Sequence, residues 1–217
     1  MKVVAFVPIK LNNERTPGKN IKCFDDGTPL ITYFLKTLVQ VNEIDELYVY
    51  CSKEEIQEYL IPGVKFLKRP DFLDTKEATP QDIISNFMNE VEAEVYVACH
   101  CTSPFVKAER FSKCINKVCN GGYDSAFTGE KIQRLMWYQG EPLNFDASNV
   151  PRTQDLPIYY NEVSATYVFK RQTFETLHRR IGINPYICEV SGYECVDIDY
   201  PEDFEIANAI YTKIIKR

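Results

Sequence analysis

Short apolar runs alternate with segments of helical period along most of this chain. Val3–Ile9 is β-branched and nearly continuous in apolar character, which predicts a strand buried on both faces. Leu30, Ile31, Phe34, Leu35, Leu38 and Val39 then recur at helical spacing. Leu47–Cys51 and Val64–Leu67 predict strands, with a short helix near Glu54–Leu60 between them. Thr79-Pro80-Gln81-Asp82 has the signature of a helix start, a capping hydroxyl followed by proline, and Ile83, Ile84, Phe87, Met88 and Val91 supply that helix's buried face. Val95–Cys99 predicts a central strand, Phe111–Val118 a helix and Ser125–Thr128 the next strand. Regularity lapses between about 131 and 161, where Trp137, several prolines and other aromatics predict a hairpin-like protruding arm with a substrate loop. It resumes at Ala165–Phe169, Tyr186–Val190 and Cys195–Ile198, before a closing amphipathic helix carrying Phe204, Ile206, Ala207, Ile210, Ile214 and Ile215. Such alternation predicts an α/β fold, Rossmann-like, with a mostly parallel sheet and helices on both faces. At 217 residues the whole span 1–217 reads as a single domain.

Composition narrows the function without choosing it. A chain that is 45% hydrophobic and 26% charged builds an ordinary core. The net charge of -6 argues against nucleic acid as a partner, since phosphate backbones need a basic face. A local cationic pocket can still take a small anionic ligand. The apolar stretch at the N-terminus is broken by Pro8 and does not read as a signal peptide, and no run approaches membrane-spanning length, so the expected location is cytoplasmic. The 8 cysteines form no C-x-x-C pair and the histidines are only His100 and His178, so reduced structural thiols are expected rather than zinc.

Four segments carry candidate chemistry. The loop Lys10–Asn20 follows the first strand, where ligands of open α/β sheets lie, and Lys10, Arg15 and Lys19 could meet a triphosphate. Gly18 is its sole glycine, so it is neither a dinucleotide fingerprint nor a P-loop, and an ordinary Pro-Gly turn is the plainer alternative. Thr102-Ser103-Pro104 ends the central strand with hydroxyls that could donate to a base or a sugar, or simply cap the next helix. Pro151-Arg152-Thr153-Gln154 places one guanidinium in a proline-bounded loop, suited to a carboxylate or phosphate but equally readable as a lone surface arginine. In Asp197-Ile198-Asp199, read as a strand, both carboxylates share a face and could hold one hard cation such as Mg²⁺, while Asp199 is also a good N-cap for the final helix.

All four segments, in this order and over nearly the whole chain, resemble the CMP-sugar synthetase family, which includes acylneuraminate cytidylyltransferases and relatives acting on legionaminate, pseudaminate and Kdo. The family's first loop, Ala-Arg-x-x-Ser-Lys-x-x-Pro-x-Lys-Asn, stands here as Ile9-Lys10-Leu11-Asn12-Asn13-Glu14-Arg15-Thr16-Pro17-Gly18-Lys19-Asn20. Lys68-Arg69-Pro70 followed by Thr79-Pro80 resembles its nucleotide-side segment. The resemblance implies a nucleotide-diphospho-sugar-transferase-like fold, a homodimer made through the arm, and transfer of CMP from CTP to an acidic (ulosonic or nonulosonic) sugar with release of pyrophosphate. It implies Lys10, Arg15, Lys19 and Asp197 at the reacting phosphates, and Pro8, Asn12, Arg69, Thr102 and Ser103 around the nucleotide. It further implies His100, Arg152, Gln154 and Glu162 around the sugar, with Asp197 and Asp199 on Mg²⁺. The chain departs from the pattern where Lys10 replaces an arginine, Glu14 a lysine and His100-Cys101 a glutamine-containing pair. Asn161-Glu162-Val163-Ser164 stands where a second arginine is usual, which predicts an acceptor other than N-acetylneuraminate, with Glu162 on a hydroxyl or amine. A metal-dependent glycosyltransferase, which also uses Asp-x-Asp, and a catalytically degenerate nucleotide-binding protein remain the alternatives; few residues follow Asp197 to build an acceptor subdomain for the former.

Overall fold

The computed structural model describes residues 1–216. Its main sheet has seven strands in the order β3-β2-β1-β4-β8-β5-β9. In chain order they are β1 (Val3–Ile9), β2 (Glu46–Cys51), β3 (Val64–Lys68), β4 (Val95–Cys99), β5 (Ser125–Ile132), β8 (Tyr159–Lys170) and β9 (Pro185–Val190), while β6 (Trp137–Tyr138) and β7 (Glu141–Pro142) form a separate hairpin. Only β8 runs against the rest, pairing antiparallel with both β4 and β5. The first strand thus lies between β2 and β4, and the chain's direction of travel across the sheet reverses beside it. A reversal of this kind opens a crevice at the strands' carboxyl ends.

Both faces of the sheet are covered, as its continuous apolar strands require. Val3, Ala5, Val7 and Ile9 pack with α1 (Leu30–Leu38) and α3 (Ala108–Cys119), whereas Val4 and Phe6 pack with α2 (Pro80–Glu90). The predicted start of α2 holds: Thr79 accepts from the Asp82 backbone N–H, and Asp82 accepts in return from the Thr79 backbone N–H. Helix α4 (Arg171–Leu177) follows β8, and α5 (Pro201–Ile210) closes the chain with a wider last turn over Tyr211–Ile215. Its buried stripe is Phe204, Ala207 and Tyr211, which meets Phe24, Phe105 and Ile198. Ile206 and Ile214, expected on that stripe, lie off it and are exposed.

Three boundaries differ from expectation. Strands β5 and β8 extend through Ile132 and back to Tyr159, so the ends of the predicted arm belong to the main sheet. Cys195–Ile198 is not a strand: Gly192–Cys195 is a short 3₁₀ turn and the chain beyond it is irregular. No sheet neighbour is available there, and the Ile198 N–H donates instead to the Thr102 carbonyl at 2.8 Å. Asp199 does not cap α5; Tyr200 holds that position, and Asp203 accepts the backbone N–H of both Tyr200 and Asp199.

Candidate active site

A cleft of about 340 Å³ opens where β1 and β4 end, lined by Pro8, Lys10, Lys19, Arg69, His100 and Thr102 among others. Lys19 is held there by the fold. Its residue is only 7% exposed, and Nζ donates to the Ile198 carbonyl at 2.6 Å and lies 3.3 Å from Asp199 Oδ1. Asn20 is buried beside it and donates to the Lys10 carbonyl, tying the loop's two ends together. Asn13 rather than Asn12 lines the cleft; Asn12 points outward. Arg69 is buried, paired with Asp74, and its Nε has no partner. A buried N–H without a partner is costly, which marks this arginine among the residues lining the cleft.

The two aspartates come to the loop by separate routes. Asp197 Oδ1 accepts from the buried Ser103 hydroxyl at 3.1 Å. Asp199 is clamped bidentately by Arg15, at 3.0 and 2.9 Å, while its carbonyl accepts from Thr16. The Arg15 guanidinium is held more firmly charged than usual by the Tyr200 hydroxyl and then by Asp199. Without a strand, the i, i+2 argument for a shared face does not apply; the loop's cations and Ser103 set where each carboxylate goes. Glu14 points to the rim and pairs with Lys76 at 3.3 Å, so the outer cavity keeps Lys10, Arg15, Lys19 and Lys76 against one carboxylate.

A second, mainly apolar cavity adjoins the cleft and shares Pro8, Ile83 and His100 with it. Burial, and then the charge of Arg180, push the His100 imidazole down to about 4, so it is neutral at pH 7, and its enclosed Nε2 has no partner. Glu162 also reaches this neighbourhood: its Oε2 accepts from the Tyr167 hydroxyl at 2.8 Å. Five positions apart on a regular strand, these residues would face opposite ways. Register jumps from Phe127↔Tyr167 to Thr128↔Val163, so Ser164–Thr166 form a bulge and Glu162 and Tyr167 share a face. Arg152 and Gln154 are not brought to either cavity. Arg152 pairs with Asp155 at 2.8 Å on the exposed arm, and the Gln154 carbonyl accepts from Gln133. Sequence reasoning missed Arg180, Tyr167, Asn13 and Asp74; an Arg-Arg pair between a helix and a strand was the sole hint of the first.

A sequence profile described as cytidylyltransferase matches residues 4–215, and the chain belongs to that family. It is 26% identical over 216 residues to N-acylneuraminate cytidylyltransferase A of Danio rerio, covering 94% of this chain and 50% of that protein. It is 23% identical over 227 residues to the pseudaminic acid cytidylyltransferase of Campylobacter jejuni, covering 97% of each. The chain therefore spans about half the length of the N-acylneuraminate relatives and nearly all of the pseudaminic acid enzyme. Among solved structures, CMP:2-keto-3-deoxy-manno-octonic acid synthetase complexed with CTP superposes with a TM-score of 0.73 at 18% identity, covering 98% of this chain and 99% of that one. The 4-diphosphocytidyl-2C-methyl-D-erythritol synthase of Anaerococcus prevotii gives 0.69 at 15% identity, covering 98% and 96%. These likenesses confirm the fold, a mostly parallel sheet of the nucleotide-diphospho-sugar-transferase type.

Proposed function

We propose that this protein transfers CMP from CTP to an acidic 2-keto sugar and releases pyrophosphate. The observation that carries the reading is the buried Lys19, fixed between the carboxyl ends of β1 and β4 beside Asp199 and flanked by Lys10 and Arg69. Cations set in place before the ligand arrives stabilise charge on phosphate oxygens without reorganising during the reaction. Pro8, Arg69 and Thr102 wall the nucleotide, with Ser103 acting through Asp197. The sugar side is built by His100 and Glu162.

The aspartates suit Mg²⁺ as hard oxygen donors that leave room for phosphate and water, the way this ion is commonly held. Among the described residues no cation pairs with Asp197, and Asp199, with Lys19 still beside it, becomes available once Arg15 lets go, so both would hold the ion. When bound, Mg²⁺ would supply charge neutralisation at the departing pyrophosphate. Arg15 is then free to meet the same phosphates.

The arm supports a homodimer. Trp137 and Tyr138 are 61% and 62% exposed, Leu143, Val150 and Ile158 are exposed with them, and aromatic anchors are characteristic of interface cores. Arg152 and Gln154 ride on this arm, and we assign them to the acceptor through it rather than through their own chain's cavity. No described helix is long and apolar enough to cross a membrane. The test is incubation with CTP, Mg²⁺ and a panel of 2-keto acid sugars. Pyrophosphate release with a nucleotide-linked product by mass spectrometry supports the reading; release with none of the panel rejects it.

A further inference from the structure

The cation missing from the expected position on β8 is replaced from elsewhere in the fold. Arg180 lies in the segment between α4 and β9, half-buried, with its Cζ 3.5 Å from the centroid of the Tyr167 ring. It is the one charged group lining the apolar cavity that adjoins the nucleotide cleft. Among the described residues no carboxylate lies within ion-pair distance of it, as also holds for Arg134 and Arg179, which line neither cavity, whereas Arg15, Arg69, Arg110, Arg152 and Arg171 each have an acidic partner. Stacking on Tyr167 fixes the guanidinium plane and leaves its edge N–H groups for a ligand.

His100 lines the same cavity, and its enclosed Nε2 lacks a partner among the described residues. A half-buried guanidinium with no acidic partner among the described residues and a neutral imidazole with an unpartnered Nε2 therefore line one apolar space. An apolar wall with an unpaired cation is unfavourable when empty and selective when an anion fills it. We infer that Arg180 and His100 Nε2 form the carboxylate-binding site for the acceptor, with Arg180 as its specificity-determining residue. This deepens the function proposed above and rests on it. The geometry suits a 2-keto acid, because its carboxylate is attached directly to the carbon whose hydroxyl reacts. Such a carboxylate must sit beside the nucleotide, and Pro8, Ile83 and His100 are common to both cavities. Glu162, bonded to the Tyr167 hydroxyl, is left for a hydroxyl or amine of the sugar.

An anion here has two sources, the acceptor's carboxylate or a phosphate of CTP, and the experiment separates them. Kinetics of pyrophosphate release are compared for the wild type, Arg180→Gln and Arg180→Lys, using N-acetylneuraminate, pseudaminate and 2-keto-3-deoxy-manno-octonate, and the methyl ester of whichever acid is used best. Arg180→Gln should raise the acceptor KM at least about tenfold, with the CTP dissociation constant changing less than about twofold. The preference for acid over ester should collapse in Arg180→Gln and return in part in Arg180→Lys, which keeps the charge without the planar fork. A merely structural role would not erase the acid–ester difference. An unchanged acid–ester ratio, or a loss confined to CTP binding, overturns the assignment. If the wild type turns over no acid, the site is tested alone by following the His100 imidazole by NMR during titration with pyruvate. A shift lost in Arg180→Gln then upholds the carboxylate site although the proposed reaction fails, and no shift in the wild type rejects the site itself.

Discussion

Two irregular segments behave in opposite ways, the loop over 10–20 and the arm over 133–158. The loop's polar ties run to the far end of the chain: Lys19 to Ile198, Thr16 to Asp199 and Arg15 to Asp199, across 179, 183 and 184 residues. It buries Thr16, Lys19 and Asn20 in doing so. The arm's ties are local. Asn144 reaches Met136 and Arg134, 8 and 10 residues away; Gln133 reaches Gln154 and Leu156, 21 and 23 away. Trp137, Tyr138, Leu143 and Val150 remain exposed. A loop pinned by buried charge is preorganised for a ligand, whereas a self-contained hairpin that displays apolar surface is what the proposed homodimer would use.

The largest test of this contrast is Lys19→Ala. It removes the buried tie and the phosphate-facing cation together, so kcat/KM for CTP should fall at least about 100-fold, roughly 3 kcal/mol. Asp197→Asn should lower Mg²⁺-dependent pyrophosphate release to a similar degree while the melting temperature stays close to wild type, since an amide oxygen still accepts from Ser103. Retained activity in both would return the loop to a solvated turn.

Trp137→Ala with Tyr138→Ala should weaken self-association by about 2–4 kcal/mol, read by sedimentation, with little change in the stability of the separated chain. A wild-type protein that sediments as a monomer at micromolar concentration would remove the arm's assigned role.

Preorganisation on the pinned side has a pH signature. The folded His100 holds its proton only below about 4, whereas an unfolded histidine takes one up near 6.5. The unfolded state therefore binds more protons between these values, and stability falls as pH drops from about 6.5 to 4, by roughly 1–3 kcal/mol, levelling below. Urea melts of wild type and His100→Gln at pH 7 and 4.5 measure this. The substitution should flatten that part of the profile, and an equal slope in both proteins would put the dependence elsewhere.

Arg15→Ala is expected to act least. Its pair with Asp199 is substantially exposed, so the stability change should be within about 1 kcal/mol. Freed of its guanidinium clamp, Asp199 should reach half-maximal activity at a Mg²⁺ concentration lower by up to about fivefold. A higher requirement would mean that Arg15 positions Asp199 rather than competing for it.

Much of this architecture was legible as periodicity. Continuous apolar runs marked β1 and β4, helical spacing marked α1, and Thr79-Pro80-Gln81-Asp82 marked the start of α2, because each signal depends on neighbours only a few residues away. The reading failed where distant partners outvoted local pattern. Cys195–Ile198 has strand composition yet found no sheet edge, and Ile206 and Ile214 repeat apolar character off the buried stripe.

The chain's own order of residues determined the alternating fold, the cationic first loop, and the presence of two aspartates and a lone-tryptophan arm. The tertiary structure decided which of those groups meet. The bulge that turns Glu162 toward Tyr167 depends on β8 running between β4 and β5, the aspartates' separate partners lie on the loops after β4 and β1, and Arg180 reaches the cavity of His100 from beyond α4. A side chain's chemistry is written at its own position, but its neighbours across the sheet are set by pairings between strands far apart in the chain, and local periodicity carries no trace of them.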